Sequence, residues 1–256
     1  MLMSALDDIA WTLNMRGTDV HCNPVFVSYL VIEHEKTTLF VDNDKLTSEV
    51  SAYLAMLSIK VLPYNEVGKY LKGDYFAYNI LLDPNETNSY LVACAKEGRT
   101  AVVLTTSPIP EMKAVKNETE IQGFHNAMKR DGVAMVKFLK WLIPAVKAGH
   151  ETEISLDKKL TYLRSQQPLF RDSSFDTIVG YEHHGAIVHY EATPETDIAI
   201  EPHGFVLIDS GAQYQDGTTD ITRTIALGPL TEEQKRVYTI VLKGHIQLEL
   251  ARFPDG

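Results

Sequence analysis

The chain has 256 residues, of which 45% are hydrophobic and 23% charged, as is usual for globular domains, and this length allows two modest ones. Its 24 basic and 34 acidic residues give a net charge of −10, which argues against a nucleic-acid partner because phosphate binding needs a positive surface. No stretch approaches the roughly 20 apolar residues of a membrane span, so no membrane partner is expected. Two cysteines far apart in sequence, Cys22 and Cys94, indicate reduced thiols and a cytoplasmic location.

The first 115 residues alternate between predicted strands and predicted helices. The strands are expected at residues 25–32, 38–41, 79–82 and 101–105, and the helices at 47–58, 64–71 and 87–95. Ser107-Pro-Ile-Pro110 then interrupts the pattern. This alternation predicts a small α/β domain over residues 1–115.

A different pattern begins at residue 116. An apolar stripe with helical spacing predicts a long helix over residues 118–142, closed by Pro144 and Gly149, and a second helix over 152–166 capped by Thr152 or Ser155. Strands are then expected at 177–180, at 186–189, from Phe205 and from Thr218, followed by a helix over 232–251. Two helices against a curved antiparallel sheet predict an α+β domain over residues 116–256.

The most informative segment runs from Phe205 to Ile225. An apolar run leads to Asp209, a turn-forming stretch reverses the chain, and a β-branched run begins beside Asp220, which together predict a β-hairpin. A buried strand rarely tolerates a carboxylate unless a charged partner or a metal ion compensates it. Here each of two adjacent strands carries one.

The register of this hairpin decides whether the two carboxylates meet. If residues 214–217 form the turn, Gln213 lies opposite Thr218, and Asp209 and Asp220 become diagonal neighbours on one face, roughly 7–8 Å apart at the backbone. Two carboxylates so placed can hold two divalent ions about 3.5–4 Å apart. A two-residue turn at residues 216–217 would instead leave them four residues out of step. Spacing alone therefore leaves two interpretations, a metal site or two exposed strand-end aspartates with unrelated roles.

The same residues carry a family resemblance. The stretch Ile208–Tyr214 followed by Asp216–Thr224 resembles the metal-binding hairpin of the aminopeptidase P (Xaa-Pro aminopeptidase) family, which has the pita-bread fold, and most closely its long three-domain cytosolic form. Further matching segments are Leu6–Trp11, Asn14–Gly17, Asp19–Pro24, Lys116–Asn117, Ser173–Ile178, Gly185–Tyr190 and Val241–His245. Together these segments span nearly the whole chain.

The resemblance implies a fold, a site and a reaction. The fold is an α/β middle domain like the creatinase N-terminal domain (residues 1–115), followed by the first half of an α+β pita-bread metallopeptidase domain (residues 116–256). Asp209 is implied as a terminal ligand of one divalent ion and Asp220 as a bridging ligand of two, usually manganese, while His189 contacts the substrate. The implied substrate is a peptide with proline at position two, which loses its first residue to a metal-activated water, and the implied assembly is a homodimer.

Two departures from the family pattern limit what is expected of this chain. One is its abrupt start, since the family has a complete domain before this region and an opening strand that Met1-Leu-Met3 truncates, and the other concerns the metal ligands. The remaining ligands of the family, one histidine and two glutamates, lie in a downstream segment that these 256 residues do not contain. The chain is therefore expected to be an internal portion of a longer enzyme, with little activity by itself. The alternatives are a catalytically inert pita-bread module that binds peptides or proteins, and a relative such as an Xaa-Pro dipeptidase, a creatinase or a methionine aminopeptidase.

Overall fold

A computed structural model of the chain describes residues 1–73, 79–98 and 101–254. The chain divides into two compact units, Met1–Asn117 and Glu118–Gly256. Within the described ranges, no helix has both the length and the apolar character needed to cross a bilayer. Cys22 and Cys94 do not form a disulfide with each other.

The first unit is built on a six-stranded mixed sheet with the order β4-β3-β2-β1-β5-β6. Its strands are β1 (Leu2–Met3), β2 (Ser28–Ile32), β3 (Thr37–Val41), β4 (Ile59–Pro63), β5 (Ile80–Leu82) and β6 (Val102–Leu104). Its helices are α1 (Leu6–Leu13), α2 (Ser48–Met56), α3 (Val67–Lys72), α4 (Ser89–Glu97) and α5 (Ile109–Ala114). The pairs β3–β4, β1–β5 and β5–β6 are parallel, which agrees with the predicted α/β class.

Strand β4 was not predicted, because the sequence gives little warning of where α2 ends. The helix stops at Met56, and Ser58 adopts a positive φ of 56°. Because Ser58 has this left-handed conformation, the chain changes direction there, and β4 begins at the next residue, Ile59. The mostly apolar segment at residues 59–62 is too short for its periodicity to separate a strand from a helix.

The second unit contains two small antiparallel sheets and three helices. The sheets have the orders β11-β10-β7 and β12-β9-β8. The strands are β7 (Phe170–Ser173), β8 (Ile178–Tyr181), β9 (Phe205–Ser210), β10 (Ala212–Tyr214), β11 (Gly217–Thr218) and β12 (Ile221–Ala226), and the helices are α6 (Glu118–Ala148), α7 (Glu153–Ser165) and α8 (Glu232–Glu249). A shared apolar core joins α6 and α7 to β8 and β9, as the two-helix-on-sheet pattern predicted.

Helix α6 continues through Pro144 to Ala148, so of the two residues predicted to close it only Gly149, with a φ of 85°, does so. A proline inside a helix removes the hydrogen bond to the carbonyl four residues earlier. That carbonyl belongs to Lys140, an exposed residue, and Pro144 is itself exposed, so water can satisfy the freed oxygen. Beyond the proline, Val146 still packs in the core and stabilises the last turn.

A buried ion pair connects the two long helices. Arg164 of α7 donates from Nε to Oδ1 of Asp131 on α6 at 2.7 Å and from Nη2 to Oδ2 at 2.9 Å, and neither side chain is more than 1% exposed. The Tyr214 hydroxyl donates to the same Oδ1 at 3.0 Å, and Arg164 Nη1 lies 3.5 Å from the Gly211 carbonyl oxygen. Burial, and then the neighbouring Asp131, raise the pKa of Tyr214 well above its ordinary range, so its hydroxyl remains a donor.

Helix α6 also contacts the turn between β10 and β11 directly. A Cβ atom on Gly123 would lie 2.0 Å from the carbonyl oxygen of Asp216, so only glycine permits this approach. Two turns further along α6, Arg130 forms an ion pair with the Asp216 carboxylate, and its guanidinium lies 5.1 Å from the ring centre of Tyr214. The helix therefore holds the hairpin at its tip and, through Asp131, along its length.

We expect Asp131→Ala to lower the free energy of unfolding of the second unit by about 3–5 kcal/mol, since it leaves the Arg164 charge buried without a partner. The check is urea denaturation of a Trp11→Phe background, in which Trp141 beside the core of the second unit is the remaining tryptophan fluorophore. Glu232→Ala, which breaks the exposed pair with Lys235, should change the same quantity by less than about 1 kcal/mol. Equal effects of the two substitutions would contradict this account of the buried pair.

Candidate metal centre

The hairpin that carries the two aspartates has the first of the two registers that the sequence left open. Gln213 pairs with Thr218, and across the next sheet Asp209 pairs with Thr222 and Ser210 with Ile221. The turn is shorter than expected, because residues 214 and 217 also pair and only residues 215 and 216 remain unpaired. The alternative turn at residues 216–217, which would have separated the aspartates, is thus wrong.

Asp209 and Asp220 lie on the same side of this hairpin. Asp220 precedes Thr222 by two residues, and Thr222 stands directly opposite Asp209. The Thr219 amide donates to the Ala212 carbonyl at 2.9 Å, which maintains the register between the two sheets. Since alternate residues of a strand share a face, the two carboxylates are diagonal neighbours, roughly 7–8 Å apart at the backbone.

The environments of the two carboxylates differ. Oδ1 of Asp209 is buried and, within the described part of the chain, has no hydrogen-bond partner, whereas Asp220 is exposed. A buried carboxylate oxygen without a donor is costly in free energy, and a hard divalent cation is a ligand that would satisfy it. The donor set and the orphaned oxygen therefore fit the metal site that the sequence predicted.

The structure corrects the expectation of a strand at residues 186–189. A 3₁₀ segment (Glu182–Ala186) follows β8 directly, and His189 lies in an exposed loop with a φ of 56°. The consecutive apolar residues Ile187 and Val188 suggested a strand. Both are exposed, and within the described residues neither belongs to a paired strand.

The segment that leads to His189 lies on the same face of the sheet as Asp209. Gly180 of β8 stands opposite Leu207, on the Asp209 face, and a Cβ atom on Gly180 would come within 2.8 Å of the Gly185 backbone. Gly185 therefore packs directly over this face, four residues before His189. The structure thus brings the chain that carries His189 to the acidic face, although by a loop and not by a strand.

One buried polar cluster was missed by the sequence analysis. Glu153, the first residue of α7, is fully buried and accepts hydrogen bonds from His184 and Tyr190. In the sequence, Glu153 looks like an ordinary acidic residue in the first turn of a helix. The structure confirms Thr152 as the N-cap of that helix, in a capping box with Ser155. Nothing local distinguishes Glu153 from a solvated glutamate, because its partners lie about 30 residues downstream.

Two family models match consecutive parts of the chain. One is described as the creatinase/prolidase N-terminal domain and matches residues 1–120, and the other is described as metallopeptidase family M24 and matches residues 122–256. The folds of the two units agree with these two family models, and the second is part of a pita-bread domain. The chain belongs to metallopeptidase family M24.

The similar proteins are all longer than this chain. It is 44% identical over 261 residues to Xaa-Pro aminopeptidase 1 of Dictyostelium discoideum, with 100% of this chain and 41% of that protein covered. It is 37% identical to the X-prolyl aminopeptidase of Caenorhabditis elegans, a cytosolic enzyme with a di-nuclear active site, with a TM-score of 0.88 and coverage of 100% and 42%. The Xaa-Pro dipeptidase of Bacillus anthracis, at 21% identity, TM-score 0.73 and coverage of 96% and 65%, shares the fold. The chain thus spans about two fifths of the two closely similar relatives.

We expect Asp209→Asn to raise the free energy of unfolding of the metal-free chain by about 1 kcal/mol, because it removes a charge whose buried oxygen has no donor. Asp220→Asn is the matched control, since the Asp220 side chain is exposed, and should change stability by less than about 0.5 kcal/mol. Both are measured by urea denaturation in the presence of a chelator. Clear destabilisation by Asp209→Asn would show that this carboxylate has a structural partner after all.

Proposed function

We propose that the protein containing this chain is a dinuclear metalloaminopeptidase that releases the first residue from peptides with proline at position two. Asp209 and Asp220 hold the metal ions, and His189 contacts the substrate. The observation that carries the proposal is the register of the hairpin, which supports a common face for the two carboxylates. The relatives that match the whole chain at 37–44% identity support the reaction class.

The ions and the protein residues have separate tasks in this proposal. When bound, two divalent ions polarise the scissile carbonyl and lower the pKa of the attacking water. Asp209 and Asp220 supply hard oxygen ligands and partly neutralise the positive charge. His189 donates a hydrogen bond to the carbonyl oxygen as negative charge develops on it. The exposed loop that carries His189 leaves its ring accessible for this contact.

Manganese, a cytosolic location and a homodimer belong to the same proposal. Carboxylate ligands suit manganese among the divalent ions. The relative from Caenorhabditis elegans is described as cytosolic with a di-nuclear site, and the absence of a disulfide between Cys22 and Cys94 is compatible with a reducing compartment. The homodimer rests on family analogy alone.

Two alternatives are less well supported. An Xaa-Pro dipeptidase shares the fold, but the solved structures named Xaa-Pro dipeptidase or prolidase are only 21–23% identical to this chain. In an inert binding module, the buried Asp209 oxygen without a donor would lower the stability of the fold and serve no function. The aminopeptidase is therefore favoured over both.

We expect the full-length protein with manganese to hydrolyse a tripeptide with proline at position two, and Asp220→Asn to lower kcat/KM by at least about 10³-fold. Metal content measured on the same samples should fall from two ions per chain. Asp172→Asn, on exposed strand β7, controls for the loss of a surface charge and should leave both quantities unchanged. Cleavage of dipeptides alone would favour the dipeptidase, and peptide binding without cleavage would favour the inert module.

We expect His189→Ala in the full-length protein to lower kcat by about 10²–10³-fold, as is usual for loss of one hydrogen-bond donor to a developing oxyanion. The metal content should stay at the wild-type value, because His189 is not proposed as a ligand. Steady-state kinetics and metal analysis check the two statements. Loss of metal with His189→Ala would assign this residue to the metal and not to the substrate.

A further inference from the structure

Glu153 is the centre of a buried hydrogen-bond network. Its side chain is 0% exposed, and its Oε1 accepts from the Tyr181 backbone amide at 2.8 Å. Oε2 accepts from the Tyr190 hydroxyl at 2.9 Å, and Nδ1 of His184 lies 2.9 and 3.0 Å from the two oxygens. The His184 and Tyr190 rings also stack, with centres 4.4 Å apart and planes inclined by 30°.

This network uses nearly all of the hydrogen-bonding capacity of the carboxylate. An ionised carboxylate can only accept, so His184 presents an Nδ1 proton to it, and Tyr190 donates its hydroxyl hydrogen. Burial raises the pKa of Tyr190, which keeps that hydrogen in place. A glutamine at position 153 would keep one acceptor oxygen and place an NH₂ group against a donor. The network therefore discriminates between glutamate and its neutral isostere.

The network ends beside His189. Tyr190 follows His189 in sequence, and its hydroxyl also contacts Thr196 Oγ1 at 3.2 Å, which closes the loop of residues 190–197. At the other end of that loop, the Asp197 carboxylate accepts from the Ile154 amide at 3.1 Å, in the first turn of α7. The loop is thus attached twice to the beginning of α7.

Among the described residues, His189 itself has no comparable attachment. Its side chain is exposed, and its φ of 56° is a conformation that most non-glycine residues avoid. Such a conformation persists only when neighbouring contacts impose it. On one side the chain is held by Gly185 over the sheet, and on the other by the Tyr190 side chain on Glu153.

We propose that Glu153 is a positioning residue for His189 and acts through the Tyr190 hydroxyl. The inference rests on the proposed function, in which His189 contacts the substrate. Glu153 holds Tyr190, Tyr190 fixes the backbone of its neighbour, and the His189 ring is thereby presented on the Asp209 face. A displacement of about 1 Å in such a group can reduce a rate by 10²-fold.

The test compares Glu153→Gln, Tyr190→Phe and the double variant in the full-length protein with manganese. We expect kcat to fall about 30–100-fold for Glu153→Gln and about 5–10-fold for Tyr190→Phe, with KM changed by less than threefold and metal content unchanged. Because the two residues act in one chain of contacts, the double variant should be no slower than Glu153→Gln alone. Multiplying effects in the double variant would overturn the proposal.

Leu160→Val is the matched control for stability. Leu160 is a fully buried residue of the same helix that packs in the apolar core and makes no hydrogen bond to Glu153 through its side chain. It should lower the denaturation midpoint without changing kcat. If Glu153→Gln lowers the midpoint and leaves kcat at the wild-type value, Glu153 has a structural role only and the proposal fails.

Hydrogen–deuterium exchange separates this proposal from the proposed function. Within residues 184–197, the Ile187 amide donates to the His184 carbonyl at 3.1 Å, and the Thr196 and Asp197 amides donate to the Thr193 carbonyl at 3.0 and 2.8 Å. Peptides from this segment should exchange faster in Glu153→Gln, while peptides from residues 135–146 of α6 keep their rates. An inactive wild-type protein would refute the proposed function, yet unchanged exchange at residues 184–197 would still refute the positioning role.

Discussion

The bidentate pair of Arg164 and Asp131 joins α7 to α6 at a point that water does not reach. The same two side chains contact the hairpin, Asp131 through the Tyr214 hydroxyl and Arg164 through the Gly211 carbonyl. A buried charge pair contributes little net stability, but it tolerates few alternative arrangements because each charge must be matched. The position of the acidic hairpin against the helices therefore depends on this pair.

Two buried carboxyl groups and the half-buried Asp209 in the second unit differ in how their oxygens are satisfied. Asp131 is matched by a guanidinium and a phenol, and Glu153 by an amide, an imidazole and a phenol. Asp209 alone among these three has a buried oxygen without a donor. Full satisfaction is typical of groups that organise a structure, and the deficit at Asp209 is typical of a group that awaits a ligand.

Several features could be predicted from the sequence because they depend on neighbours along the chain. The hairpin follows from its turn residues and from the alternation of its strands, and a helix cap at Thr152 or Ser155 follows from local residue types. Strand β4 and the loop at His189 could not be predicted in this way. Short, mostly apolar segments such as Ile59–Leu62 and Ala186–Val188 fit several conformations equally well, and only the surrounding packing selects one.

The sequence by itself determined that a hairpin carries Asp209 and Asp220 and that the two belong to one face, since turn chemistry and strand alternation require this in either register that it left open. Only the tertiary structure decided that Asp209 has an unsatisfied oxygen, that the chain before His189 lies over the acidic face, and that Glu153 reaches Tyr190. The contacts of Glu153 join residues 28 or more positions apart, as with Tyr181, and Gly185 meets Leu207 across 22 positions. Contacts over such separations depend on how helices and sheets pack, and no local pattern encodes them.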